Sequence, residues 1–206
     1  MKKFITRRII KEGKDFFETA DDLTEVNQAY AKMLLERYRN NPRADFVTGS
    51  DEREMRHWII GQRLFQSFLN QWRIPYVHDE PTFSFASERL VPDFVIPKFG
   101  SVEIKTRPWK TDTMIIKKVT WDHYVEEGTV PDYVIVLRLT PEENAAQIMG
   151  YEHGTEINKL PNAPHICVYT PCYSKLYSEL HSFAELDNDL KSCSLDGRLC
   201  KVEPYR

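Results

Sequence analysis

The chain has 206 residues, 41% of them hydrophobic, and a net charge of −3 from 28 basic and 31 acidic side chains. That length and apolar fraction suit one globular core with extensions, and no apolar run approaches the roughly 20 residues that cross a bilayer. The negative balance excludes attraction of nucleic acid by the surface as a whole, so such a partner would need local basic patches.

The first patch lies at the N-terminus, in Lys2, Lys3, Arg7, Arg8, Lys11 and Lys14. The charged start is like that of a secretory leader, but Lys11, Glu12, Lys14 and Asp15 interrupt any apolar stretch, and a cytoplasmic location is expected. Residues 22–40 place Leu23, Val26, Tyr30, Met33, Leu34 and Tyr38 along one helical face, closed by Asn40-Asn41-Pro42. An N-terminal helical extension over residues 1–45 is therefore expected, ahead of a core over 46–170.

A second helix starts near Ser50 or Asp51, either of which can cap it. Its apolar residues Met55, Trp58, Ile59, Phe65, Phe68, Leu69 and Trp72 recur at helical spacing. Glu52 and Glu54 sit in its first turn, where acids also complement the helix dipole. On a helical wheel Glu54 lies nearer the apolar face than Glu52.

Ile74-Pro75-Tyr76-Val77 and Thr82-Phe83-Ser84-Phe85 are each short enough for a strand. The densest chemical signal follows. Phe94-Val95-Ile96 is a short apolar run ended by Pro97, Lys98-Phe99-Gly100 is turn-like, and Val102-Glu103-Ile104-Lys105-Thr106 alternates apolar with polar. This predicts a β-hairpin with Glu103 and Lys105 on one face, Val102 and Ile104 on the other, and Asp93 at the start of the first strand. Two carboxylates suit Mg²⁺, a hard cation that takes oxygen ligands and a substrate phosphate. A neighbouring ammonium can orient water or neutralise developing charge.

The second basic patch surrounds that hairpin: Lys98, Lys105, Arg107, Lys110, Lys117 and Lys118. Lys98, Arg107, Lys110, Lys117 and Lys118 are candidates for contacts to nucleic-acid phosphates. A segment over 114–127 should be helical in its second half, and Tyr133-Val134-Ile135-Val136-Leu137 is a strong strand. Residues 145–170 suggest a further strand pair, with Ile166-Cys167-Val168-Tyr169 the clearer member, and a helix is expected from about Tyr173 to Leu190 in a C-terminal helical extension over 171–206. Cys167, Cys172, Cys193 and Cys200 lack CxxC spacing and read as reduced thiols. His57, His78, His123 and His153 fall in no nucleophilic triad pattern.

Pro92-Asp93 on one strand and Glu103-Ile104-Lys105 on the next resemble the signature of the PD-(D/E)xK nuclease superfamily. The run Pro92-Asp93-Phe94-Val95-Ile96-Pro97, Gly100, Val102-Glu103-Ile104-Lys105 and Trp109 is similar to that of phage junction-resolving endonuclease I, and endonuclease subunits of cut-and-paste transposons carry a similar pattern. Glu52-Arg53-Glu54-Met55 resembles the start of the first helix in archaeal Holliday junction resolvases, where the first Glu belongs to the metal site. The resemblance implies a restriction-endonuclease-like α/β fold, with a central mixed β-sheet flanked by helices. It implies a Mg²⁺-dependent DNA endonuclease, with Mn²⁺ as a substitute, acting on branched or structured duplex. Asp93 and Glu103 would bind the metal, the Ile104 carbonyl would complete its shell, Lys105 would position or activate water, and Glu52 would help hold the ion, with Glu54 as its substitute. Resolving a symmetric junction would call for a homodimer. Two other readings remain open: a transposon- or restriction-type endonuclease whose partner protein supplies target specificity, and a non-catalytic nucleic-acid-binding module of the same fold.

Overall fold

The computed structural model describes residues 6–11, 14–19, 32–33, 36, 52–78, 91–143, 145–163 and 171–194, with the side chains of 6–11, 14–19 and 52 outside the description. Nine strands are described: β1 (Thr6–Lys11), β2 (Lys14–Thr19), β3 (Val77–His78), β4 (Phe94–Ile96), β5 (Gly100–Arg107), β6 (Thr113–Lys117), β7 (Tyr133–Leu139), β8 (Ala145–His153) and β9 (Cys172–Leu176). The described helices are α1 (Glu52–Gln71), α2 (Lys118–Glu127), α3 (Gly154–Ile157) and α4 (Phe183–Ser192), with a 3₁₀ turn at Tyr177–Glu179.

Seven strands make one sheet in the order β1-β2-β8-β7-β5-β4-β3, and β6 pairs with β9 separately. β5 and β7 run parallel while every other neighbouring pair is antiparallel, so the sheet is mixed. The parallel pair requires a crossover, and β6 with α2 supplies it.

Strand alternation divides the core. Val102, Ile104, Ile135, Leu137 and Leu139 point toward α1 and α4, where they pack with Leu64, Phe65, Phe68, Phe183, Leu186 and Leu190. Val134 and Val136 point the other way, against Met114, Ile116, Trp121, Tyr124 and Tyr173 from β6, α2 and β9. The molecule is thus an α/β protein with a central mixed sheet flanked by helices.

The seating of α1 matters most for the site. A Cβ at Gly61 would lie 1.8 Å from Thr106 Oγ1 on β5, so only glycine lets the helix approach the sheet this closely. Upstream, Glu143 beyond β7 accepts from His57 Nε2 at 2.9 Å, from Arg53 Nη2 at 3.4 Å and from Arg56. Burial tends to raise the Glu143 carboxyl, but His57 and Arg56 outweigh it and hold it below the ordinary value.

Several expectations change. The N-terminal segment, expected to be helical, supplies two strands over 6–19, whose Ile9, Ile10, Phe16 and Phe17 favour a pleated sheet. Of the helix expected over 22–40, only Lys32, Met33 and Glu36 are described, and they are helical. The helix expected from Tyr173 begins at Phe183. Tyr173, Tyr177 and Leu180 recur at helical spacing, but pairing with β6 from Thr113↔Leu176 to Lys117↔Cys172 claims the backbone first. The strands expected at Thr82–Phe85 and Ile166–Tyr169 lie outside the described residues.

Candidate active site

The β4–β5 hairpin forms as its residue pattern predicts, with Phe94↔Val102 and Ile96↔Gly100 paired. One step further along this register, Asp93 stands opposite Glu103. Pairing stops there, and the Asp93 side chain replaces a strand backbone as partner: its Oδ2 accepts from the Ile104 N–H at 2.7 Å. Its Oδ1 accepts from Gln62 Nε2 of α1, the helix seated by Gly61. Asp93 is 7% exposed and Gln62 2%.

Glu103, 5% exposed, faces the α2 side of the sheet. Its Oε1 accepts from Lys105 Nζ at 2.6 Å and its Oε2 from the Tyr124 hydroxyl at 2.7 Å. The Tyr124 oxygen also lies 3.3 Å from the Val91 carbonyl, but a hydroxyl has one proton, which the shorter, charge-assisted contact takes. Two buried carboxylates therefore share one lysine.

The electrostatics follow from that shortage. Burial pushes the Asp93 carboxyl well above the usual carboxylate range, and the Glu103 charge pushes it further; Lys105, the Ile104 N–H and Gln62 pull back without cancelling. Burial alone would lower the Lys105 ammonium, but the charge and hydrogen bond of Glu103 and the charge of Asp93 hold it above its ordinary value. Lys105 is a fixed cation here.

The donor set fits a hard divalent cation. Each carboxylate oxygen makes one described hydrogen bond and has a second lone pair, and a dication would relieve the excess negative charge. Among the described residues no three His, Cys, Asp or Glu side chains converge as a metal cluster. Further ligands would have to come from backbone carbonyls such as that of Ile104, from water or from substrate.

The other sequence candidates are scattered. Glu52 opens α1, but its side chain lies outside the described residues. Glu54 is half exposed, with Oε2 3.9 Å from Lys117 Nζ. Lys118 Nζ donates to the Tyr173 hydroxyl at 2.9 Å and lies 3.5 Å from Asp122 Oδ1. Lys98 occupies the hairpin turn at φ 69, at the opposite end of β4 from Asp93, while Lys110 is exposed in the loop after β5. Arg107 ends β5 beside Arg138 of β7.

No family profile matches the chain, and no curated protein matches it. Among solved structures, the chain is similar to Hjc, a Holliday junction resolvase from Archaeoglobus fulgidus, at a TM-score of 0.39 and 12% identity, over 63% of this chain and 97% of that one. A match at that level carries no weight for function.

Sequence reasoning missed Gln62 and did not count Tyr124 as a site residue. Gln62 had one usable signal, an amide inside the apolar stripe of α1. Tyr124 had one too, an aromatic ring on the helix after the hairpin, which core packing explains as readily as stacking on a base.

Proposed function

We propose that this protein is a Mg²⁺-dependent DNA endonuclease, with Mn²⁺ as a substitute. The observation that carries the reading is the buried Asp93–Glu103 pair, held by two elements and short of positive charge. Structural ion pairs are normally balanced, because an uncompensated buried charge costs several kcal/mol. An imbalance held in place by Gln62, Tyr124 and a backbone N–H is the pattern of a cation-binding site.

Asp93 and Glu103 would hold the ion, with the Ile104 carbonyl and Glu52 completing its surroundings. When bound, Mg²⁺ polarises the phosphoryl oxygen and lowers the pKa of water. The residues do the rest. Tyr124 and Gln62 fix the two carboxylates, so little reorganisation accompanies the reaction. Lys105, kept protonated by its two acids, donates hydrogen bonds to water or to the phosphate and balances charge as the pentacoordinate phosphorus forms. It acts as a donor rather than a base.

Branched or structured duplex is the substrate favoured by the sequence resemblance, and two coordinated cuts would call for a homodimer. The experiment is cleavage of plasmid, linear, single-stranded and four-way-junction DNA in Mg²⁺ by wild type, Asp93→Ala and Lys105→Ala. Wild type should cut and both variants should lose at least about 10²-fold. Equal rates for all three would show the assigned site to be wrong, and cutting only after another protein is added would favour a partner-dependent enzyme.

A further inference from the structure

Among the described residues, a second pair of charges lacks its complement. Cross-strand register on the α2-facing side of the sheet sets three rows: Glu103, Val134 and Glu152; Lys105, Val136 and Gly150; Arg107, Arg138 and Gln147. Arg107 and Arg138 are thus direct neighbours, about 4.8 Å apart along the hydrogen-bonding direction. Like charges placed directly opposite repel.

Among the described residues neither arginine touches a carboxylate. Arg138 Nη2 donates to Gln147 Oε1 at 2.7 Å, and its guanidinium lies 4.8 Å from the Trp109 ring centroid and 6.0 Å from that of Tyr177. The Tyr177 hydroxyl is tied to Thr111 Oγ1 at 2.9 Å. Arg107 has no such restraint, and both Nε atoms are buried without a partner. Asp112, the acid on the adjoining loop, accepts from Thr113. Similarly shielded cations elsewhere, Arg56, Lys105, Lys175 and Lys191, each contact an acid.

We propose that Arg107 and Arg138 form an anion site for a phosphodiester of the DNA strand, next to the one cut at Asp93 and Glu103; the DNA source rests on the nuclease reading above. Paired guanidiniums match phosphate oxygens bidentately. Arg107 lies two residues along β5 from Lys105, about 7 Å, or on the order of one to two nucleotide steps. A phosphate held there fixes which bond reaches the carboxylates.

The test compares wild type with Arg107→Gln and Arg138→Gln in two arms. In the first, thermal unfolding is followed with and without tens of millimolar inorganic phosphate; phosphate should raise the wild-type midpoint by about 2 °C and leave the variants unmoved. Without phosphate, Arg107→Gln should unfold no lower than wild type, because a like-charge contact has gone, and Arg138→Gln, which also gives up its contacts to Gln147 and Trp109, should unfold within about 5 °C of wild type. In the second, affinity for a short duplex is measured against salt, and each substitution should flatten the log–log slope by about 1. If wild type cuts DNA while both variants keep its affinity, slope and phosphate response, the anion site is overturned and the nuclease reading stands. If DNA is neither bound nor cut but phosphate still protects through the two arginines, the site is supported and the nuclease reading fails. A variant midpoint more than about 5 °C below wild type would mark the pair as structural and overturn the proposal.

Discussion

Two buried acids occupy the same row of the same sheet face, Glu103 on β5 and Glu152 on β8, with Val134 between them. Glu152, 1% exposed, has a cation of its own: Lys175 Nζ bonds Oε2, while the His153 backbone N–H donates to Oε1 at 2.9 Å and His181 Nε2 lies 3.5 Å from the same oxygen. Glu103 must share Lys105 with Asp93. Burial alone therefore does not mark a site. The balance of charge within it does: the Glu152 cluster is complete and structural, while the Asp93–Glu103 cluster is one cation short.

The comparison predicts opposite responses to neutralisation. Glu152→Ala takes from the partly buried Lys175 its hydrogen-bonded acid and should lower stability by up to about 3 kcal/mol in urea unfolding. Glu103→Gln removes repulsion from Asp93 and should cost less than about 1 kcal/mol, while cleavage falls at least about 10²-fold. Comparable stability losses in the two variants would erase the distinction.

His78, paired across β3 and β4 with Phe94, supplies a pH-dependent comparison. Its ring lies 4.4 Å from that of Phe94, and burial lowers its pKa to about 4. The unfolded chain binds this proton near pH 6.5 and the folded chain only near 4, so stability present above pH 6.5 is lost as pH falls through that window. Between pH 7.5 and 4.5 wild type should lose up to about 2.5 kcal/mol more than His78→Phe. Parallel stability curves for the two proteins would contradict the assignment.

Tyr124→Phe removes one charge-assisted hydrogen bond from Glu103 but leaves Lys105, and should destabilise by about 1.5 kcal/mol. Smaller still is the effect expected at Lys98, far along the hairpin from Asp93: Lys98→Ala should change cleavage less than about 2-fold. A loss of about 10-fold or more would extend the substrate path to the hairpin turn.

Much of this was legible in the sequence because local pattern and tertiary structure agree. The alternation in Val102–Thr106, the stop at Pro97 and the turn-like Lys98-Phe99-Gly100 predicted the hairpin, and the helically spaced apolar residues from Met55 to Trp72 predicted α1. The misses are tertiary. Tyr173 and Tyr177 keep helical spacing yet belong to a strand and a 3₁₀ turn, because β6 needed a partner. Gln62 and Tyr124 carry no motif; they reach the acids only because Gly61 seats α1 on Thr106 and because the crossover returns α2 over Glu103. Arg138 joins Arg107 only through the parallel register of β5 and β7.

The central claim, that Asp93 and Glu103 make a site one cation short, is tested most directly by Mn²⁺ titration followed by electron paramagnetic resonance on wild type, Asp93→Asn and Glu152→Gln. The account predicts saturable binding to wild type and to Glu152→Gln, and none at that site in Asp93→Asn. Equal binding by Asp93→Asn and wild type, or no binding by wild type, would contradict it.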